Sequence, residues 1–234
     1  MPCYSTVRVG RSSSPCLAIE LEQEKVSRVW VFDLDNTLHD ADAHIFPVMN
    51  QAMTQYIMDH LELEEEDAHA LRRHYWHIYG ATMKGLTRHH GIRPAHFLHE
   101  THQFPALHEM VVQRKRLRHW LQQLDGRKVV FTNAPSHYAT RVLNLLGVAD
   151  LFEEVFSVES SRFHPKPSPR GFARMLHSIR AHPADCIMLE DSLPALMTAK
   201  RLGMKTIWVS RRLHKPNFVD IRIPSVLALT HIRL

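Results

Sequence analysis

Short runs of apolar, β-prone residues alternate with helical patterns along most of this chain, and this alternation limits the fold more than any other feature. Parallel strands need a connection of helix length, so strands that alternate with helices predict right-handed crossovers in a parallel sheet. An all-apolar run further predicts a strand that is buried on both faces of its sheet. The runs lie at residues 29–32, 129–131, 155–158, 186–189 and 206–209.

The segments between these runs carry helix signals. Ser168, followed by a proline, is typical of a helix N-terminus. Residues 137–146 and 194–202 have helical spacing and end at Gly147 and Gly203, which are typical C-terminal caps. We therefore predict an α/β fold, a doubly wound parallel sheet, with a ligand site outside the carboxyl ends of the strands.

The connection after the first strand is far longer than one crossover requires, and its pattern is helical throughout. We expect an inserted helical cap domain, with helices at 46–57, 68–79 and 110–124 and with breaks at Gly85 and 91–94. The predicted division is a flexible N-terminal leader at 1–26, an α/β core at 27–39 and 120–234, and a cap at 40–119.

Composition excludes several classes of protein. The net charge of +5, from 29 Lys and Arg against 24 Asp and Glu, suits small anionic ligands but is too diffuse for a nucleic-acid partner. No apolar run approaches the length of a membrane span or a signal sequence. Three cysteines without close pairing favour a reducing compartment, so we expect a cytoplasmic protein without a membrane partner.

Two carboxylates follow the first strand, in the sequence Asp33-Leu34-Asp35. Residues two apart in an extended chain point to the same side, so both should face one pocket, although such a pair alone also fits a solvated turn. Two acids in one pocket repel unless a cation or a proton intervenes. Mg²⁺ would keep one ionised as a nucleophile while the other serves a leaving group, which predicts an acyl-phosphate intermediate.

Three other strand ends supply what this chemistry lacks. Thr132 and Asn133 offer donors to phosphate oxygens, Lys166 is a cation between two prolines, and Glu190 and Asp191 are further acids. Each feature alone has an ordinary explanation as a turn, a surface lysine or a helix cap. Their occurrence in order at successive strand ends favours one shared site.

These motifs resemble the four sequential motifs of the haloacid dehalogenase superfamily of phosphatases, over residues 29–209. The resemblance implies Asp33 as the nucleophile and Asp35 as the general acid and base. Asp35 argues against the dehalogenase branch, which lacks this second aspartate, because the release of an alkoxide needs a proton donor and the release of halide does not.

The resemblance also implies a ligand set for Mg²⁺ and a set for phosphate. Mg²⁺ would sit on the Asp33 side chain, the Asp35 carbonyl and Asp191, with Glu190 ordering the water around the metal. The phosphate group would be held by Thr132, Asn133 and Lys166.

A narrower resemblance is to the pyrimidine 5'-nucleotidase branch, through residues 33–39, 79–86, 190–193 and 199–206. It implies a nucleoside 5'-monophosphate as the small phosphorylated substrate. Tyr79 in the predicted cap is the candidate for substrate specificity, and the alternative is that it packs between cap helices.

Other interpretations remain open at this point. A sugar-phosphate phosphatase or a phosphomutase would use the same scaffold, and a non-catalytic regulatory binding module is disfavoured because no catalytic position is lost. The many histidines between His39 and His119, among them His96, His99 and His102, would fit a zinc site or solvated helix faces, and we expect the latter.

Overall fold

A six-stranded parallel sheet lies at the centre of the computed structural model, which describes residues 28–112 and 114–231. The strand order is β3-β2-β1-β4-β5-β6, so the chain winds first to one side of β1 and then to the other. The predicted leader at 1–26 lies outside the described residues. The strands are β1 (Val29–Phe32), β2 (Arg127–Phe131), β3 (Glu154–Phe156), β4 (Cys186–Glu190), β5 (Lys205–Val209) and β6 (Ile221–Ile223).

Helices cover both faces of the sheet, which confirms the doubly wound α/β prediction. Trp30 and Phe32 of β1 point into one apolar cluster, while Val29 and Val31 point into another on the opposite face. The helices are α1 (Ile45–Leu61), α2 (Glu65–Tyr79), α3 (Thr82–His90), α4 (Pro94–Thr101), α5 (Leu107–Met110), α6 (Leu117–Gln123), α7 (Ser136–Leu145), α8 (Pro169–Ser178) and α9 (Leu193–Arg201). None of these helices combines the length and apolar character that crossing a bilayer requires.

The helices inserted between β1 and β2 have an apolar cluster of their own. Residues of α1 to α4, including Ile57, Tyr75, Leu86 and Phe97, bury one another there. The first turns of α1 instead pack on a cluster beside the sheet, so α1 belongs to both groups of contacts. The division into a cap at 40–119 and a core around it stays a prediction.

The secondary structure departs from the prediction before α6 and at the edge of the sheet. The helix predicted at 110–124 is interrupted between α5 and α6, where Arg116 has a positive φ of 71° and the Arg114 side chain donates to Ser225. The break turns α6 so that Trp120 lies edge-on to Phe32 under the sheet. The edge strand β6 was not predicted, because a run of three residues is too short to show a period.

Gly85 does not break a helix, contrary to the prediction, but lies inside α3. A Cβ atom added at this position would lie 2.1 Å from Cγ of Tyr75 on α2. Glycine is therefore required here by the close approach of two helices. Gly85 therefore determines how closely α2 and α3 pack and does not mark the end of a helix.

We predict that Gly85→Ala destabilises the protein. Alanine normally favours a helix over glycine by roughly 1 kcal/mol, but overlap with the Tyr75 ring should reverse the sign and lower the free energy of unfolding by about 1–3 kcal/mol. Urea unfolding measures this change. In a Tyr75→Ala background the same substitution should be neutral or stabilising, and an equal loss in both backgrounds would contradict the packing explanation.

Candidate active site

Three acids meet where β1 and β4 end side by side. The Asp33 amide donates to the Leu189 carbonyl at 2.9 Å, which continues the pairing of the two strands to this point. Oxygen atoms of Asp33, Glu190 and Asp191 lie within 4.8 Å of one another. β1 and β4 flank the position at which the winding of the sheet reverses, and ligand sites of doubly wound sheets lie there.

Lys166 places a cation among these acids. Its Nζ donates to Oδ1 of Asp33 at 2.7 Å and to Oε2 of Glu190 at 2.6 Å. The lysine is only 4% exposed, and Asp33 and Glu190 are 6% and 2% exposed. A lysine considered alone is expected at the protein surface, but Lys166 is buried and paired with two acids.

The backbone of Lys166 is held by Asn133. The Lys166 amide donates to Oδ1 of Asn133 at 2.7 Å, and Nδ2 of Asn133 donates back to the Lys166 carbonyl at 3.0 Å. Thr132 beside it is buried, and its hydroxyl oxygen accepts from the Ala134 amide. The structure thus shows Asn133 bracing the lysine, whereas contact of Thr132, Asn133 and Lys166 with phosphate stays a prediction.

The site carries more negative than positive charge. Burial, followed by the charge of Glu190, raises the pKa of Asp33 to about 7, although Lys166 opposes the shift. Burial likewise raises the pKa of Glu190 to about 7, and burial with the charge of Asp33 raises the pKa of Asp191 to about 6. Burial lowers the pKa of Lys166, but Asp33 and Glu190 outweigh it and leave that pKa above its ordinary value.

The donors of this cluster fit a hard divalent cation. All of them are carboxylate oxygens, the ligands that Mg²⁺ prefers, and a cation would relieve the excess of negative charge. Both oxygens of Glu190 are already engaged, one by Lys166 and the other by the Ser192 amide at 3.1 Å. That leaves Asp33 and Asp191 as the acids best placed to touch a metal, with Glu190 behind them.

Asp35 has different partners from Asp33. Its Oδ1 accepts from the Tyr138 hydroxyl at 2.6 Å and lies 2.9 Å from Nε2 of His39, while its side chain is outside the acidic cluster. Sequence reasoning missed Tyr138 and gave His39 no role. His39 was visible within the first motif, but nothing local marks Tyr138, which lies 103 residues away on α7.

Residues 79–86, which include the specificity candidate Tyr79, contact the loop of Lys166 through Gly80 rather than through Tyr79. A Cβ added at Gly80 would lie 2.5 Å from Cδ of Pro167, next to the lysine. The Tyr79 hydroxyl instead lies 2.6 Å from Nε2 of His89, and its ring lies beside Tyr75. Packing among the inserted helices is therefore seen for Tyr79, and its contact with substrate stays a prediction.

The three histidines at α4 and its C-terminal end do not form a group with the spacing of metal ligands. His96 pairs with the Tyr56 hydroxyl at 2.7 Å, His99 is exposed, and His102 is buried. Within the part of the chain that the structure describes, the acidic cluster is the only group with metal-ligand spacing. The expectation of solvated faces is wrong for His102, whose pKa is lowered to about 4 by burial.

Known proteins resemble this chain over most of its length. A sequence model of the haloacid dehalogenase-like hydrolases matches residues 28–203. Phosphate metabolism protein 8 of Saccharomyces cerevisiae is 26% identical over 200 residues, 78% of this chain and 61% of the yeast protein. Validoxylamine A 7'-phosphate phosphatase of Streptomyces hygroscopicus subsp. limoneus is 30% identical over 88 residues, 38% of this chain and 41% of that protein. The matches thus span less than two thirds of either relative.

A solved structure extends the likeness to the fold. CbbY from Rhodobacter sphaeroides, in complex with phosphate, superposes with a TM-score of 0.64 over 87% of this chain and 96% of that chain, at 18% identity. At that identity the agreement concerns the arrangement of strands and helices alone.

We predict that Mg²⁺ stabilises the folded protein. Binding at about a hundredfold above Kd adds about 2.7 kcal/mol to the free energy of unfolding, which thermal unfolding detects as a shift of several degrees. Asp191→Asn should remove most of the shift because it deletes one anionic donor. Asp185→Asn, a carboxylate outside the cluster, should keep it, and a shift of equal size in the Asp191 variant would contradict the site.

Proposed function

The chain belongs to the haloacid dehalogenase-like hydrolases, and from that premise we propose that it hydrolyses phosphate monoesters with Mg²⁺ through an aspartyl-phosphate on Asp33. The observation that carries the proposal is the buried group formed by Asp33, Lys166 and Glu190. It holds a carboxylate at the carboxyl end of a central strand, next to a fixed cation. Hydrolysis of a phosphate ester requires both groups, because the carboxylate attacks the phosphorus while the cation holds the phosphate oxygens.

The proposed reaction has two displacements. One oxygen of Asp33 attacks phosphorus, and the ester P–O bond breaks with its electron pair passing to the leaving oxygen, which takes a proton from Asp35. A water molecule then attacks the phosphorus of the aspartyl-phosphate and gives a proton to Asp35. The bond between phosphorus and Asp33 breaks, so that phosphate leaves and both carboxyl groups return to their initial states.

The side chains around Asp33 have distinct parts in this scheme. The Lys166 ammonium offsets the charge of the nucleophile and lies where phosphate oxygens would approach it. Asn133 fixes the lysine backbone, so the cation does not have to be ordered during the reaction. Mg²⁺ held by Asp33 and Asp191 would supply further positive charge for the phosphate oxygens.

Asp35 favours phosphate over halide as the group released. Halide leaves as a stable anion, whereas an alkoxide must gain a proton as it leaves. Asp35, the acid that follows Asp33 in the chain, would supply that proton. A non-catalytic binding module is disfavoured because each proposed catalytic group is present and Asp33, Lys166 and Glu190 are joined by hydrogen bonds.

We predict that Asp33→Asn abolishes turnover while the protein still folds. Asparagine keeps the size and accepts a hydrogen bond from Lys166, but it lacks the attacking charge, so kcat should fall about a thousandfold or more. Steady-state kinetics on a phosphate ester measures the loss, and thermal unfolding checks the fold. Asp185→Asn serves as the matched control with full activity. Near-normal turnover by the Asp33 variant would rule out the proposed nucleophile.

The proposed substrate is a pyrimidine nucleoside 5'-monophosphate. Support comes from the likeness of residues 33–39 and 79–86 to that branch, and from Gly80, which places the second segment against the loop of Lys166. A sugar phosphate is the second candidate, because the Streptomyces relative is named for validoxylamine A 7'-phosphate and not for a nucleotide. A phosphomutase would differ by passing phosphate to a sugar hydroxyl.

We predict that uridine or cytidine 5'-monophosphate exceeds adenosine 5'-monophosphate in kcat/KM by about ten- to a hundredfold, because a purine leaves polar groups of a closed site unpaired. Side-by-side kinetics on these nucleotides and on glucose 6-phosphate tests the choice. If the kcat/KM of glucose 6-phosphate exceeds that of the nucleotides by about tenfold or more, the proposed function changes to sugar-phosphate hydrolysis and the mechanism is unchanged.

A further inference from the structure

We propose that Tyr138 and His39 are positioning residues for Asp35, and that they aim its free oxygen at the leaving group of the substrate. The inference rests on the proposed function, because it assumes that Asp35 donates the proton. It assigns a role in the reaction to a tyrosine on α7, outside the four motifs.

Both residues bind the same oxygen of Asp35. The Tyr138 hydroxyl donates to Oδ1 at 2.6 Å, and Nε2 of His39 lies 2.9 Å from that atom. The described residues supply no hydrogen bond to Oδ2. A carboxyl group held by two partners at one oxygen has a fixed plane, so its other oxygen points in one direction.

The tautomer of His39 follows from this arrangement. Oδ1 of Asp35 already accepts the hydrogen of the Tyr138 hydroxyl, so a hydrogen bond between Oδ1 and His39 requires that Nε2 carry the hydrogen. Nδ1 of His39 is buried and has no hydrogen-bond partner among the described residues. The His39 ring is fully buried and makes its polar contact with Asp35. Water therefore does not compete for this contact.

Tyr138 is held as firmly as His39. Its ring is 1% exposed and packs edge-on against His102 and Phe104, with centroids 5.7 Å away in each case. Arg141, one turn further along α7, donates to the Phe104 carbonyl at 3.0 Å and ties that segment to the helix. The hydroxyl therefore reaches Asp35 from a ring that has little freedom to turn.

His39 is fixed through its own backbone. Residues 35 and 39 form an isolated β-bridge, and the Leu38 amide donates to the Leu34 carbonyl at 2.9 Å. The turn that carries both aspartates thus brings the imidazole back onto the second of them. The two supports are set during folding, so Asp35 needs no ordering when substrate binds.

Positioning of a proton donor matters in proportion to the basicity of the leaving oxygen. An alkoxide from a sugar or a nucleoside must gain a proton from Asp35 as the P–O bond breaks. A p-nitrophenolate is a stable anion and leaves without one. Loss of the two supports should therefore affect alkyl phosphates far more than p-nitrophenyl phosphate, whereas a general disturbance of the site would affect both equally.

We test this with Tyr138→Phe and His39→Phe, which keep a ring and remove the polar contact. For each, kcat/KM is measured on p-nitrophenyl phosphate and on the better of uridine 5'-monophosphate and glucose 6-phosphate. This ratio reports the steps through release of the first product, so the later hydrolysis does not obscure it. We expect a loss of about tenfold or more on the alkyl phosphate and of less than about threefold on p-nitrophenyl phosphate.

Tyr56→Phe is the matched control. Tyr56 is a buried tyrosine whose hydroxyl also pairs with a histidine, His96 at 2.7 Å, but it lies in the inserted helices. It should leave both kinetic ratios near the wild-type values. Thermal unfolding confirms that each variant folds, and if one of the two site variants does not, the other decides.

Two outcomes would overturn the inference. Equal losses on both substrates would assign Tyr138 and His39 a structural role, and unchanged kinetics on both would assign them none. Failure of the proposed function is seen separately, because an active Asp33→Asn variant would refute that function whatever Tyr138 does. If Asp33→Asn is inactive and the leaving-group dependence is unaltered, only the positioning role is wrong.

Discussion

The buried contact of Lys166 with Asp33 and Glu190 is the interaction on which the rest of the site depends. It joins the ends of β1 and β4 to the loop before α8, at the point where the winding of the sheet reverses. A buried charge is tolerated only while its partners are in place, and removal of one leaves another uncompensated. The same constraint explains why Asn133 holds both backbone groups of the lysine, since a displaced ammonium would leave three acids facing one another.

Asp33 and Asp35 lie two residues apart in the chain but have different surroundings. Asp33 lies in a pocket of charges, where burial and neighbouring acids raise its pKa and a cation opposes the shift. Asp35 is in contact with a phenol and an imidazole and is outside the acidic cluster. The proposed roles require Asp33 to attack without a proton and Asp35 to carry one, and the raised pKa of Asp33 means that a cation must hold it ionised.

The inserted helices contact the supports of the site at two places. Gly80 at the end of α2 lies against Pro167 beside the lysine, and the segment after α4 packs on Tyr138 through His102 and Phe104. Packing of the insertion and geometry of the site therefore share residues. Substitutions at these contacts are expected to change both stability and reaction rate, which is why matched control variants far from both contacts are needed.

The sequence by itself determined five of the six strands and the order of the polar motifs along the chain. A strand buried on both faces must be apolar throughout, so β1 and β4 were visible, and parallel strands bring their carboxyl ends together, so Asp33, Glu190 and Asp191 could be grouped. Lys166 was grouped with them as a strand-end residue, but it lies in the connection between β3 and α8. Only the tertiary structure decided the break before α6, the place of Gly85 inside α3, and the contacts of Asn133 with Lys166 and of Tyr138 with Asp35. Local patterns report which face of a segment is buried, because burial sets their period. They do not report which distant side chain that face meets, because that depends on how whole helices pack on the sheet.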